Sequence, residues 1–407
     1  MPSPLFSVSS VRQQLRLGLL RELGRLASPR PVGAVPKDAR VLVIRPDHIG
    51  DVLLTTPALA LLRAALPAAY LAVLVGPWSA EIARRGPPLQ ALSTCEFPGF
   101  TRRNARWIGQ PYLELRRAES LRRQRFDVAI VARPDHWWGA LLAMLAGIPH
   151  RIGFNVPECA PFLTDALELP GGAHTAELSL LLANRLCELA GVESPKSEGR
   201  PIFNVADHER REALDAIQAC FGAASGPLMV LHPGAGAELK LWPPERWAQV
   251  LDQARKRWQA RTLIVAPRGE QALADAIVRS SETKVQCIPT DRGLGFLAAV
   301  LEHAQVVLGS DSGPLHLATA LGVPTVRLFG PTDPAEFGPW PVGDQQVALR
   351  ALVPCSPCGH VQAPPCGAVI HPRCMMEHSP ASVLEAISWI LDAPESGFTP
   401  SGTDLCT

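Results

Sequence analysis

No stretch of this chain reaches the roughly 20 consecutive apolar residues that a membrane-spanning helix requires. The run from Trp137 to Ile148 is too short and stops at Pro149. An excess of one charge is also missing: 39 Lys and Arg stand against 38 Asp and Glu, a net charge of +1, and charged residues make up only 19% of the chain. That balance gives no global sign of nucleic-acid binding. Arg12, Arg16, Arg21 and Arg25 interrupt any apolar core near the N-terminus, so no secretory signal is expected. No Walker pattern occurs, and no G-x-G-x-x-G follows the first predicted strand, which argues against a dinucleotide-dependent dehydrogenase. Internal repeats of solenoid length and low-complexity tracts are absent as well. The expectation is a soluble, cytoplasmic protein.

The chain's 407 residues exceed the usual size of one hydrophobic core, so two domains with a cleft between them are expected. The 47% apolar share suits a large α/β protein. From Val41 onward, short β-branched and Leu-rich runs (VLVIR, YLAVLVG, FDVAIVA, then LMVLHPG, TLIVAP, VVLGSD, TVRLFG) alternate with helical patterns. Such alternation implies parallel sheets covered by helices. The breaker-rich PKSEGRP, Pro195 to Pro201, is the candidate hinge. The predicted division is a helical extension over 1–37, a first doubly wound domain over 38–194, a second over 195–378, and a last helix with a tail over 379–407. Leu15, Leu19, Leu23 and Leu26 recur at helical spacing among the early arginines. That helix could pack on its own protein or lie on an anionic membrane surface as a peripheral contact.

Reactive groups in such folds sit in loops at the carboxyl ends of strands. The first strand runs into Arg45-Pro46-Asp47-His48-Ile49-Gly50-Asp51, which places Asp51 at the opening of a helix, as a helix cap or as a cleft carboxylate. A later strand ends in His232-Pro233-Gly234-Ala235-Gly236, with Lys240 close behind. Small residues let backbone amides approach a phosphate and a lysine adds full charge, although a plain turn with a solvated lysine has the same sequence. In VVLGSDSGPLHLA a strand stops near Gly309 and Asp311, and a helix begins at Ser312, Gly313 and Pro314. Proline is at home in a first helical turn, and the unpaired amides there form an anion site. His316 would project toward the same anion or be a satisfied, partly buried histidine. TVRLFG ends in Gly330-Pro331-Thr332-Asp333-Pro334, another carboxyl-end loop.

Order and separation of these segments resemble glycosyltransferase family 9, the ADP-heptosyltransferase-like group, over about residues 40 to 392. The resemblance implies an α/β GT-B fold, two Rossmann-like doubly wound domains facing a central cleft, with the acceptor on the first and the nucleotide sugar on the second. It also implies that the last helix returns to the first domain. The implied reaction is inverting, metal-independent transfer of a sugar, heptose foremost, from an ADP-sugar to a hydroxyl of a lipopolysaccharide-core-like, other glycan or lipid-linked acceptor. By the same resemblance Asp51 is the base. Gly234, Ala235, Gly236, Lys240, Asp311, Ser312, Gly313, His316, Thr332 and Asp333 hold the donor and its diphosphate, and Glu270 accepts from the ribose. Another nucleotide sugar serving a surface polysaccharide or secondary metabolite, a nucleotide-sugar epimerase, and a binding protein on the same scaffold are the alternatives.

Two features lie outside that core pattern. Arg102, Arg103, Arg106, Arg116, Arg117, Arg122, Arg123 and Arg125 concentrate positive charge in the first domain, either as an acceptor-attracting patch or as a solvated basic helix. Cys355, Cys358, Cys366 and Cys374 form C-x2-C-x7-C-x7-C within the Pro- and Gly-rich segment 354–375. Four thiolates in a loop-rich segment could hold a tetrahedral structural zinc, the alternative being free or redox-paired thiols. No cofactor is expected for catalysis.

Overall fold

The computed structural model describes residues 11–26, 33–98, 100, 110–196 and 199–392. The first sheet contains β1 (Arg40–Arg45), β2 (Tyr70–Val75), β3 (Ala91–Thr94), β4 (Val128–Val131), β5 (His150–Phe154) and β6 (Asp165–Leu167), ordered β3-β2-β1-β4-β5-β6. The second contains β7 (Leu228–His232), β8 (Arg261–Ala266), β9 (Gln286–Pro289), β10 (Val306–Ser310), β11 (Thr325–Phe329) and β12 (Gln346–Arg350), ordered β12-β11-β10-β7-β8-β9. All pairings are parallel. Each sheet grows outward from its first strand to one side and then to the other, so the winding reverses between β1 and β4 and again between β7 and β10. This is the doubly wound order, with its ligand crevice at the reversal. Two such units are the GT-B architecture expected from the sequence.

Strands covered by helices on both faces read as unbroken apolar runs rather than alternating ones. Accordingly, β7, β10 and β11 are buried from end to end, and β1 from Val41 onward. The helix Ile49–Ala65 directly follows β1 and buries Val52 to Leu59 continuously. It packs on Thr175–Leu189 of its own domain and on Gly313–Ala320 of the second. One apolar cluster therefore runs through both domains, joining Val52 and Leu59 to Leu315 and Leu317.

Polar contacts fix the two domains further. Arg85, on the short helix Ala80–Arg85, grips both carboxylate oxygens of Glu209 at 2.8 and 2.6 Å. Glu209 belongs to Asp207–Phe221, the helix leading into the second sheet. One turn earlier, Glu81 accepts from the amides of Leu294 and Gly295 at 3.3 and 3.2 Å, at the start of helix Leu294–Glu302. The residue before that helix, Gly293, has φ +102° and no side chain to cap it, so the carboxylate of the other domain does so.

The last helix corrects an expectation. Pro380–Leu391 does not return to the first domain; it packs on Pro244–Trp258 and on β10 and β11. Val383, Ala386, Ile387 and Ile390 form one helical stripe that joins Trp247 and Leu251 in the second core. Arg257 and the Trp258 indole then hold Asp392 at 2.9 and 2.7 Å.

The N-terminal helix Val11–Leu26 lies on Ala160–Phe162, with Leu17 and Leu20 buried and Leu19 exposed. The buried face is that of Leu17 and Leu20, whereas Leu19 of the predicted stripe is exposed and the side chains of Leu15, Leu23 and Leu26 lie outside those described. No helix among the described residues is long and apolar enough to cross a membrane. Arg102, Arg103 and Arg106 fall outside the described residues. Arg117 and Arg122 donate to the carbonyls of Thr94 and Leu145, and Arg123 pairs with Glu119, as on a solvated helix.

Candidate functional site

Both sheets aim the loops beside their reversal points at one place between the domains. In the first domain the tetrapeptide Arg-Pro-Asp-His occurs twice, as Arg45 to His48 after β1 and as Arg133 to His136 after β4. The two strands are neighbours at the reversal, so the copies meet. Asp47 is buried between both arginines, 2.7 Å from Arg45 Nε and hydrogen-bonded to Arg133 Nη1. Burial alone would raise its carboxyl, but the two cations hold it low. The Trp78 indole and the Ser79 hydroxyl fix its carbonyl at 2.9 Å each. His136 is packed among Phe97, Phe100 and Trp138, and burial pushes it down to about 3, so it is neutral.

Asp51 lies in the first turn of Ile49–Ala65, past the cap position, which His48 occupies. Its carboxylate is 3.4 Å from Arg45 Nη2 and 31% exposed, so it reaches the gap. Burial, reinforced by the like charges of Asp47 and Asp311, pushes Asp51 up to about 6 against the pull of Arg45 and Arg133. A carboxylate so perturbed at a cleft is a candidate general base. Asp311, one of those like charges, belongs to the other domain.

On that second side, Asp311 follows β10 and is buried. Lys240 Nζ donates to its Oδ2 at 2.7 Å and Thr332 Oγ1 to the same oxygen at 3.0 Å, while His316 Nε2 lies 3.6 Å from Oδ1. Burial would raise Asp311, but Lys240 and His316 hold it far below the carboxylate range. Ser312 takes the cap position and Gly313 and Pro314 the first turn of Gly313–Ala320, where backbone amides have no intrahelical acceptor and an anion is favoured.

The two helix N-termini approach closely because glycine stands on each. A Cβ on Gly50 would lie 2.9 Å from His316 Cδ2, and one on Gly313 would lie 3.1 Å from Ile49 Cγ2. Gly234 is equally constrained, since its missing Cβ would fall on the Glu270 carboxylate. That carboxylate is also 3.5 Å from His232 Nε2, whose other ring nitrogen is 3.3 Å from Ser312 Oγ. Burial pushes His232 down to about 4, keeping it neutral. A Cβ on Gly236 would meet open space.

Thus Asp51, Gly234, Lys240, Glu270, Asp311, Ser312, Gly313, His316 and Thr332 gather around one gap. Ala235 and Gly236 lie on the same loop as Gly234. Asp333 is used differently: its carboxylate caps Pro334–Phe337 through the amide of Ala335 at 2.9 Å. Burial raises the Cys374 thiol, together with Cys355 and Cys358, which lie near it. Cys355 and Cys366 are exposed and Cys374 is buried, and among the described residues no three His, Cys, Asp or Glu side chains are placed to hold a metal ion. Their segment instead props the Gly330 loop, with Ser356 Oγ donating to Gly330 O at 2.6 Å and Gly359 N to Pro331 O at 2.8 Å. Arg45, Asp47, Arg133 and His232 were not among the expected site residues, although the repeated Arg-Pro-Asp-His was a readable signal.

The family model for glycosyltransferase family 9 (heptosyltransferase) matches residues 114–365, more than half of the chain. Lipopolysaccharide heptosyltransferase 1 of Pseudomonas aeruginosa is 27% identical over 330 residues, covering 78% of this chain and 86% of that protein. Among solved structures, the family 9 glycosyl transferase of Veillonella parvula superposes with a TM-score of 0.73 at 22% identity, over 89% of this chain and 100% of that one. The E. coli heptosyltransferase WaaC with ADP gives 0.61 at 21% identity, over 86% and 99%. With its two doubly wound sheets and the matched segment, the chain is a glycosyltransferase and belongs to glycosyltransferase family 9.

Proposed function

We propose that this enzyme transfers a sugar, heptose foremost, from an ADP-sugar to an acceptor hydroxyl of a lipopolysaccharide-core-like glycan, with inversion and without a catalytic metal. One observation carries the reading: the Asp51 carboxylate of the first domain and the Lys240, Asp311 and His316 cluster of the second face each other where Gly50 touches His316. Its likeness to a lipopolysaccharide heptosyltransferase and to a heptosyltransferase solved with ADP supports this substrate class.

In this mechanism Asp51 takes the proton of the acceptor hydroxyl as its oxygen attacks the anomeric carbon, a contribution of about 10²- to 10⁴-fold when well aligned. Attack from the Asp51 side expels the diphosphate toward the second domain, which inverts the configuration in a single displacement. The leaving diphosphate gains negative charge, and fixed, preorganised donors stabilise it. Lys240, the Ser312 and Gly313 amides and the His316 N–H fill that role, and Glu270 beside Gly234 accepts from the ribose.

Turnover of ADP-heptose with a deacylated core acceptor tests the proposal, with product configuration read by NMR. Asp51→Asn is expected to abolish transfer while nucleotide-sugar binding by calorimetry stays within about threefold. Unchanged turnover would remove Asp51 from the mechanism. A thermal-shift screen of ADP-, GDP- and UDP-sugars tests the base, since only a ligand bound by the folded state raises its melting temperature.

A further inference from the structure

β11 carries an arginine at its centre. Arg327 is fully buried, with 0% exposure. Removing a guanidinium from water is costly unless its donors are satisfied. Its hydrogen bonds among the described residues go to Leu315 O at 2.7 Å, Thr319 Oγ1, Thr325 Oγ1 at 3.3 Å and His316 Nδ1 at 3.4 Å. None of these acceptors is a carboxylate, and three of them lie on Gly313–Ala320, the helix whose first turn faces the gap. Burial pushes Arg327 down to about 9, with Asp311 opposing, so it keeps its charge at neutral pH.

The consequence for His316 follows from donor and acceptor counting. A guanidinium has only N–H donors, so the ring nitrogen it meets must present a lone pair. With Nδ1 so occupied, the proton of a neutral imidazole resides on Nε2, the atom 3.6 Å from Asp311 Oδ1. The charged groups facing this ring are Asp311, Arg327 and Lys240, and the titratable neighbour His174 is itself kept neutral by burial. Burial and the two cations oppose a second ring proton and outweigh Asp311, leaving His316 low. An imidazolium would bind Asp311 in competition with Lys240, whereas a neutral N–H can pass from Asp311 to an incoming phosphate oxygen.

We propose that Arg327 is a positioning residue that locks His316 as the neutral Nε2–H tautomer and thereby aims an N–H at the departing diphosphate. The tautomer lock stands on the contacts of Arg327 alone; its use in the reaction rests on the donor-site reading given above. Long-range ¹H–¹⁵N imidazole spectra of the full-length protein test it, with His316 assigned through His316→Gln. The expected wild-type pattern is Nε2–H, unchanged between pH 6 and 8. In Arg327→Met, His316 should become a tautomer mixture and titrate within that range, while kcat falls roughly tenfold. Arg327→Lys, which keeps a cationic donor, should restore part of both.

An Nδ1–H or imidazolium pattern in the wild type at pH 7 overturns the lock without any variant, so a poorly folding Arg327→Met leaves the test intact. A folded Arg327→Met with an unaltered His316 spectrum also overturns it. A shifted tautomer with unchanged kcat and donor affinity overturns the positioning role and removes His316 from the diphosphate. The Asp51→Asn experiment remains the separate check on the transferase mechanism itself.

Discussion

The missing Cβ of Gly50 would lie 2.9 Å from Cδ2 of His316, so the loop bearing the candidate base and the ring bearing the candidate phosphate donor meet without a side chain between them. Alanine at position 50 is favoured by helix propensity, by about 1 kcal/mol over glycine. Contact should outweigh propensity, because the ring behind is held by Arg327 and Asp311. Gly50→Ala is expected to fold with a melting temperature near wild type but to lose at least about tenfold in kcat, since a misplacement of about 1 Å is that costly. Steady-state kinetics beside a thermal melt check this; wild-type turnover would show the approach to be incidental.

The raised carboxyl of Asp51 has two readable consequences. Turnover should fall tenfold per unit below about pH 6, as the base becomes protonated, and level off above it. Stability should move in the opposite sense. The folded value of about 6 exceeds the ordinary aspartate value of 3.8, so the native state binds more protons in that interval and this group's contribution grows as pH falls through it. Asp51→Asn should therefore melt higher than wild type at pH 8 and lose that advantage by about pH 4. Parallel melts at the two pH values decide.

Lys240 and Asp311 form a buried pair, with side chains 14% and 7% exposed. Removing one member of such a pair costs about 3–5 kcal/mol, because the other charge is left unpartnered. Lys240→Ala should show that loss together with weakened nucleotide binding. Lys240→Met combined with Asp311→Asn should regain much of the stability and none of the turnover. Denaturant unfolding and calorimetry separate the two effects, and recovery of activity in the double variant would refute the phosphate role.

Arg85 joins the domains through both oxygens of Glu209 and is 22% exposed. Hydrogen bonds to Glu209 hold Arg85 above its ordinary range and, reciprocally, keep Glu209 low. Arg85→Ala should lower stability by about 1–3 kcal/mol. It should also broaden one calorimetric transition into two as the domains uncouple. A single sharp transition at the wild-type temperature would show that the apolar seam suffices.

The fold was legible because buried parallel strands advertise themselves as continuous apolar runs, and their carboxyl ends mark where reactive loops must lie. Asp51, Lys240, Asp311 and His316 all fell in such loops or in the helical turns that immediately follow them. Arg327 was not legible: one charged residue inside TVRLF has no periodic signature, and its partners come from another helix. The pairing of Arg45 and Arg133 around Asp47 needed knowledge that β1 and β4 are adjacent. Cysteine spacing suggested a zinc cage, but spacing along a Pro-rich loop does not fix where thiols point, and among the described residues no three ligand side chains gather to hold a metal. The last helix was assigned to the wrong domain by the family resemblance, and its own apolar stripe could not correct that, since a stripe records that a face is covered and not by what.

Glu81 completes a helix that belongs to the opposite domain. If the halves swing apart, the Leu294 and Gly295 amides lose their acceptor and that first turn is free to fray. Secondary structure in one half is thus a gauge of its distance from the other. Hydrogen exchange at those two amides would count how often the enzyme opens, with no substrate needed to provoke it.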